Sequence, residues 1–255
     1  MLFRQRERFE RTDVPRESGF TNVIGVVVLI AVFIGCVAAV LSAHNYVTLQ
    51  DSMEADSLES AVSGQSKLGD APEGFSYTED TLGKYLFLVS DSSDGEKTGV
   101  SLSAAYVLVV NQTQGTATMC SVPVDAEVTS GDATASLSSV ASGSGAAACV
   151  APLSAAVGVK FSHVVLSTED VLSDIVALAG KTKYLVPIDA PELLKVMNTD
   201  MSAGELVSLA DDLKSIGVSN IQQVEVAASA ASEQGYETID RTAFQSAVGL
   251  IVAVG

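Results

Sequence analysis

The chain has 255 residues, of which 47 % are hydrophobic and 18 % charged, and its formal net charge is −17 at pH 7. This length and apolar content suffice to bury a core, which excludes a wholly disordered protein. The acidity argues against nucleic acid as a partner, because a negative field repels a polyphosphate and the sequence shows no basic patch. Alternatively, the acidity only keeps a surface domain soluble.

The first 43 residues predict a membrane anchor with a defined orientation. Residues 1–20 hold five of the six arginines, which is typical of a cytoplasmic tail. Thr21–Ala43 contains no charged residue over a length that spans a bilayer core of about 30 Å as a helix. We therefore expect a single-pass protein of the cell membrane, with its N-terminus in the cytoplasm and the rest outside.

The anchor is expected to remain uncleaved. A signal peptidase site before His44 would place the bulky Leu41 at the −3 position, where small residues are required. The alternative is a lipoprotein, since Phe33-Ile34-Gly35-Cys36 is similar to a lipobox in which the Cys36 thiol accepts the lipid.

Beyond the anchor, residues 44–80 are polar and acidic and predict an extracellular stalk, followed by a domain over residues 81–255. Short apolar runs rich in β-formers predict strands at Lys84–Ser90, Ala105–Asn111 and Thr116–Val122. The last two are joined as a hairpin. Residues 130–148 are rich in Ser, Gly and Ala and predict a loop that leads into a helix.

The second half of the domain alternates strands and helices. Predicted strands lie at Phe161–Leu166, Tyr184–Ile188 and Ile221–Ala228. Three helices are predicted: one capped by Ser167–Asp170 and ending at Gly180, one from a capping box at Ser202–Glu205 to Gly217 with Leu206, Leu209 and Leu213 inward, and one at Arg241–Val254. This pattern predicts an α/β domain with a mixed β-sheet flanked by helices.

The two cysteines of the domain, Cys120 and Cys149, allow two interpretations. In an oxidising compartment they could form a disulfide, but they could equally be two separately buried thiols. A metal site is not expected at either, because the two histidines, His44 and His163, are far from them in the sequence.

One stretch resembles the LytR-CpsA-Psr family, also described as the cell envelope-related transcriptional attenuator domain. It reads KYLFLVSDSSDGEKTGVSLSAAYVLVVNQTQGTATMCSVPVDAEV, and the family pattern is LLGxDxR, then RSDTM, a hairpin, and SIPRD. In this register the first-strand aspartate is Asp91. The RSD arginine and aspartate fall on Ser101 and Ser103, and the last two SIPRD positions fall on Val124 and Asp125.

The resemblance extends over residues 84–252. Val171–Gly180, Leu193–Gly217 and Tyr236–Asp240 are similar to later family segments, with the C-terminal type of segment starting at about residue 190. The late arginine pair of the family has no counterpart between Lys181 and Met201, where the domain is also shortened.

The resemblance implies a transferase that moves glycopolymers from a polyprenyl pyrophosphate onto peptidoglycan, with arginines on the pyrophosphate and carboxylates on magnesium. Here serine and valine replace arginine at 101 and 124, and Ser103 replaces an acid. A leaving pyrophosphate needs fixed cations or a metal, so we expect no transfer activity. The expected role is a binding or regulatory component of wall-glycopolymer assembly, with envelope-assembly proteins as partners.

Two alternatives stay open: an active phosphotransferase of this family, and an acidic surface lipoprotein or receptor domain. If activity is retained, Asp91 is the candidate magnesium ligand, with Asp94 and Glu96 nearby; otherwise this is a solvated acidic loop. Asp125 is either a family acid or the cap of a turn. The serines at 101, 103 and 121 have no histidine nearby in the sequence to activate them.

Overall fold

The structure, a computed structural model, describes residues 56–181, 192–225, 228–229 and 235–254, which all lie in one compact unit, Tyr46–Gly255. Its strands in chain order are β1 (Phe75–Tyr77), β2 (Leu82–Ser90), β3 (Leu102–Asn111), β4 (Thr116–Val122), β5 (Glu127–Ser130), β6 (Ala133–Ser136), β7 (His163–Ser167), β8 (Met197–Thr199), β9 (Gln222–Glu225), β10 (Ala228–Ser229), β11 (Thr238–Ile239) and β12 (Ile251–Ala253). Its helices are α1 (Asp56–Ser63), α2 (Leu137–Ser144), α3 (Val150–Val157), α4 (Leu172–Val176), α5 (Leu193–Val196), α6 (Ala203–Ile216) and α7 (Arg241–Ala247).

The centre of the domain is a mixed sheet of six strands in the order β8-β7-β2-β3-β4-β9. Strands β2, β3 and β4 are antiparallel neighbours, whereas β7 runs parallel to β2 and β9 runs parallel to β4. The predicted fold class, an α/β domain with a mixed sheet, is confirmed. The predicted strands at 84–90, 105–111 and 116–122 all lie within β2, β3 and β4.

Both faces of the sheet are covered by helices, which explains the nearly continuous apolar strands. Along β2, Leu86 and Leu88 point into a core shared with α1, α2, α3 and α7. Tyr85 and Phe87 point to the opposite face, into a core shared with α4 and α6. All four of these side chains are buried.

Helix α6 begins as predicted. The Glu205 N–H donates to Ser202 Oγ at 3.4 Å, and the Ser202 N–H donates to Glu205 Oε2 at 2.9 Å, which completes the capping box. Gly217, with φ +85°, follows its last turn. The three leucines predicted to face inward, Leu206, Leu209 and Leu213, are buried.

Part of the predicted stalk is folded into the domain. Leu58 of α1 is fully buried, and β1 pairs with β12. The Gln65 side chain donates to Phe161 O at 3.0 Å and accepts from Phe161 N at 2.7 Å. Residues 56–80 therefore correct the stalk prediction, while residues 44–55 lie outside the described ones.

The C-terminal helix is shorter than predicted. It ends at Ala247, and the chain then turns through Gly249, whose φ is +72°. The following Ile251-Val252-Ala253 forms β12, since β-branched residues favour an extended edge over a last helical turn. The prediction of a helix over 241–254 is thus wrong beyond residue 247.

Two other local predictions are corrected. The helix after β7 begins at Leu172, whose N–H donates to Asp170 Oδ1 at 3.0 Å, so the predicted cap segment does supply an acceptor. The Ser167 hydroxyl instead donates to Glu169 O, and the helix ends at Val176, short of the predicted Gly180. Within 130–148, the first residues form a hairpin of β5 and β6 that turns at Gly131, with φ +62°.

Cys120 and Cys149 are not joined by a disulfide. Both are buried, and the Cys149 thiol donates to Leu137 O at 3.4 Å. Burial raises the pKa of the Cys149 thiol to about 12, which keeps it protonated and unreactive. The separately buried thiols of the second interpretation are what the structure shows.

Several predictions fall outside the described residues: the tail at 1–20, the membrane helix at 21–43 with Cys36, and the strand Tyr184–Ile188. In the described ranges, none of the helices has the length and apolarity needed to cross a bilayer.

Candidate functional site

Strand register brings the five family-equivalent positions to one edge of the sheet. Ser90, the last residue of β2, lies opposite Leu102 at the start of β3, and Ala105 lies opposite Val122 at the end of β4. The loops that hold Asp91, Ser101 and Ser103, and Val124 and Asp125, therefore all leave the sheet at this edge. We call it the Asp91 edge.

Asp91 closes the loop between β2 and β3. Its Oδ1 accepts from the Ser101 N–H at 3.1 Å, and its own N–H donates to Ser101 O at 3.1 Å. These two bonds extend the pairing of β2 with β3 by one step. Both residues are exposed to solvent. The carboxylate thus has a structural task where the resemblance implies a metal ligand.

Ser103 also bonds to the backbone of its neighbouring strand. Its hydroxyl donates to Val89 O at 3.1 Å. A serine nucleophile needs a base that removes this proton, and His163 lies at the start of β7, at the opposite edge of the sheet. His163 is therefore too far from Ser103 to activate it.

The second acidic position, Asp125, holds the start of α2. Its Oδ1 accepts from Ser138 Oγ at 3.2 Å, and the Ser138 N–H donates to Val124 O at 2.8 Å. The Ala126 N–H donates to Pro123 O at 3.0 Å, which closes the turn after β4. The alternative in which Asp125 stabilises a turn agrees with these contacts, and Val124 packs its side chain against the core.

These residues do not form a dedicated cage for magnesium, the metal that the resemblance implies. Asp91 and Asp125 each bond to a donor of the protein, and Asp94 Oδ1 accepts from the Glu96 N–H at 3.0 Å. Across the described ranges, no group of three His, Cys, Asp or Glu side chains is arranged to hold a metal ion.

Among the residues that the structure describes, no lysine or arginine lines the following two grooves beside this edge. One of about 460 Å³ lies between α1 and the 3-10 turn at Ala146–Cys149; Gly95 and small Ser and Ala side chains line it, with the carboxylates of Asp56 and Glu96. A second, of about 320 Å³, is lined by Glu127, Pro152 and Ile239 among others. A pyrophosphate would meet carboxylates in both, where its charge requires cations.

The only arginine beyond residue 16, Arg241, lies elsewhere. A side-chain carbon on Gly158 would collide with Arg241 Nε, so the guanidinium lies against the C-terminal end of α3. Gly158 comes shortly before β7, which starts opposite Tyr85 and runs parallel to β2 toward the Asp91 edge. Arg241 is therefore at the opposite end of the sheet from the family-equivalent positions.

Sequence reasoning missed a paired histidine at that opposite end. His163 Nδ1 lies 2.9 Å from Asp200 Oδ2, and Asp200 Oδ1 accepts from the Val164 N–H at 2.6 Å. The His163 ring stacks on Tyr85 with centroids 5.9 Å apart. No local motif marks Asp200, since the two residues come together only when β8 pairs with β7.

This pair predicts a pH-dependent contribution to stability. The hydrogen bond that His163 donates to the Asp200 carboxylate raises the pKa of His163, and burial lowers it; the charges of Asp200 and Glu205 also raise it. The contribution is complete below about pH 6.5 and is lost as the pH rises through the raised folded-state pKa. We expect the free energy of unfolding of wild type minus that of His163→Gln to decrease over this range. Parallel pH curves for the two proteins would contradict the assignment.

A second prediction concerns Asp91. We expect Asp91→Ala to lower the free energy of unfolding by about 1 kcal/mol, because the Ser101 N–H loses its acceptor. Asp91→Asn retains an oxygen acceptor and should change it by less than about 0.5 kcal/mol. Urea denaturation checks both variants. A magnesium-dependent rise in wild-type stability that Asp91→Asn abolishes would instead make Asp91 a metal ligand.

Comparison with known proteins supports the fold. No family model and no curated protein sequence matches the chain. Among solved structures, the transcriptional regulator yvhJ from Bacillus subtilis is similar, with 13 % identity, a TM-score of 0.50, and coverage of 67 % of this chain and 95 % of that chain. B. subtilis TagV gives 11 % identity, a TM-score of 0.49 and coverage of 67 % and 95 %. B. subtilis TagT has 14 % identity, a TM-score of 0.46, and coverage of 72 % of this chain and 95 % of that chain. The chain has a LytR-CpsA-Psr-like fold, as the sequence resemblance predicted.

Proposed function

We propose that this chain is a membrane-anchored, extracytoplasmic protein with a LytR-CpsA-Psr-like fold that does not transfer glycopolymers. It acts as a binding or regulatory component in the assembly of wall glycopolymers, with envelope-assembly proteins as its partners. Residues 21–43 provide the anchor.

The observation that carries the proposal is the chemistry of the Asp91 edge. The two positions at which the family pattern has arginine hold Ser101, which is exposed, and Val124, which packs against the core. The two remaining acids each accept a hydrogen bond from the protein itself. Lys97 is the nearest cation along the β2–β3 loop, and a single lysine does not reproduce the bidentate grip of an arginine.

The charges at the Asp91 edge disfavour transfer of a glycopolymer from a pyrophosphate. Removal of one group that stabilises developing negative charge costs roughly 100- to 1000-fold in rate. At the Asp91 edge two such groups are replaced. Two further acids lie at the same edge: Glu225, the last residue of β9, is opposite Ser121, and the Glu237 N–H donates to Asp125 O. Carboxylates there destabilise a leaving pyrophosphate further.

Complementation tests the proposal. The full chain is expressed in a strain that lacks its wall-polymer transferases, beside an active family member as positive control. We expect the control to restore wall-polymer attachment and this chain to leave it absent at equal membrane abundance. Restored attachment refutes the non-catalytic function.

A binding measurement tests the same point without cells. We expect the full chain, purified in a zwitterionic detergent, to show no magnesium-dependent binding of farnesyl pyrophosphate by calorimetry. The positive control is again an active family member under the same conditions. Tight binding that requires magnesium and is lost in Asp91→Asn would overturn the proposal.

A further inference from the structure

A group of cations gathers at the end of the sheet that lies opposite to the Asp91 edge. Lys84 is near the start of β2, and its carbonyl accepts from the Ser162 N–H at 2.7 Å. Lys160 is two residues before Ser162, and Gly158, against which Arg241 lies, is two residues earlier again. The segment at 158–162 thus contains Lys160 and has Lys84 and Arg241 beside its two ends, although the three are far apart in the sequence.

Lys84 and helix α7, which begins at Arg241, lie on the same face of the sheet. Lys84 alternates with Leu86 and Leu88, which point into the core formed with α3 and α7. Arg241 opens α7, and Gly158 ends α3. The Lys84 side chain is half-buried, whereas Lys160 and Arg241 are exposed, so an anion can reach the group from solvent.

Among the described residues, neither lysine has a carboxylate within ion-pair distance. Burial of Lys84 lowers its pKa, and the charge of Lys160 lowers it further. Within the described part of the chain, no ion pair joins Lys84, Lys160 or Arg241 to an acid. Two nearby acids are already engaged: Asp240 caps α7 through the Ala243 N–H, and Asp200 binds His163 and Val164.

This arrangement is unusual for so acidic a chain. Like charges placed close together destabilise each other, and a half-buried ammonium lacks part of its hydration. Acids outnumber basic residues by 31 to 14, yet none described pairs with these cations. An anion that binds all three would remove both the repulsion and the unpaired charge.

We propose that Lys84, Lys160 and Arg241 form a binding site for a phosphate-bearing anion at the end of the sheet opposite to the Asp91 edge. Arginine offers a planar pair of donors that matches a phosphate, and the lysines add point charges beside it. The site is separate from the family-equivalent positions and does not depend on the proposed function.

Titration with inorganic phosphate tests the site. The full chain is purified in a zwitterionic detergent and titrated by calorimetry at constant ionic strength, balanced with chloride. We expect saturable binding to wild type, weakened about tenfold in Lys160→Ala and more in Lys84→Ala/Lys160→Ala. Lys214→Ala, an exposed lysine in the last turn of α6, is the matched control and should bind as wild type does.

Competition experiments with the full chain in nanodiscs distinguish three sources of the phosphate: a lipid headgroup, a soluble polymer and the free anion. If a lipid headgroup is the ligand, phosphatidylglycerol in the disc competes with added phosphate. If a soluble polymer is the ligand, poly(glycerol phosphate) competes in discs of phosphatidylcholine alone. If neither phosphatidylglycerol nor poly(glycerol phosphate) displaces the bound phosphate, the free anion is the ligand.

The proposal is overturned if wild type binds no phosphate, or if Lys160→Ala binds it as tightly as wild type does. Lys160 is exposed, so its replacement leaves the core intact even if the double variant fails to fold. Circular dichroism of each variant establishes that the fold is retained.

Discussion

Phe244→Ala is expected to lower the free energy of unfolding by about 3–5 kcal/mol, the range for a fully buried phenylalanine. Phe244 lies in α7, and none of its surface is exposed (0 %). It belongs to the core that also contains Leu86 of β2 and Leu153 of α3. Chemical denaturation of the full chain, in the same detergent throughout, measures the effect.

Two controls make this result specific. Phe244→Leu keeps most of the apolar volume and should cost less than about 1.5 kcal/mol. Val252 of β12 is 50 % exposed, and Val252→Ala should change stability by about 0.5 kcal/mol or less. If Phe244→Ala costs no more than Val252→Ala, α7 is not packed into the core as the structure has it.

Elements whose signal is local were predictable from the sequence. Helix α6 carries its own cap at Ser202 and Glu205, its own apolar face and its own stop at Gly217, so nothing distant is needed to define it. The hairpin of β3 and β4 is marked in the same way by a turn at Gly115 between two runs of β-formers.

Elements that depend on distant partners were not predictable. Strand β12 follows α7 after Gly249, which marks the end of the helix, but only its pairing with β1 fixes it as a strand. The β5–β6 hairpin consists of small, weakly apolar residues, which carry little periodicity. Strand β1 is short, and its sequence does not mark it as a strand, because the strand that pairs with it, β12, lies at the other end of the chain.

The same distinction between local and distant signals applies to the candidate sites. The family-equivalent positions follow the order of the sequence motif, and the structure brings Asp91, Ser101, Ser103, Val124 and Asp125 to one edge as that motif implies. Which hydrogen bonds Asp91 and Asp125 make could not be read from the motif. The cations at the opposite end could not be predicted as a group, because Lys84, Lys160 and Arg241 form no run in the sequence and only the fold brings them together.

Gly158→Ala is expected to lower the free energy of unfolding by about 2–4 kcal/mol, from two separate causes. Gly158 ends α3 with φ +65°, a conformation that disfavours any side chain. A Cβ there would also collide with Arg241 Nε and lie 2.5 Å from Gln245 Nε2. Gln245 is 1 % exposed and donates to Gly158 O at 2.6 Å, so its amide cannot move aside without losing this bond.

A second glycine separates the two causes. Gly115 has the same φ of +65°, but a Cβ there would meet nothing within 4 Å. Gly115→Ala should therefore cost only the backbone part, about 1–2 kcal/mol. The double variant Gly158→Ala/Arg241→Ala should recover little, because the buried Gln245 amide remains in contact with the new methyl group. Equal losses for Gly158→Ala and Gly115→Ala, measured by urea denaturation, would mean that α7 does not pack on the end of α3, and Arg241 would then lie too far from Lys160 to share an anion with it.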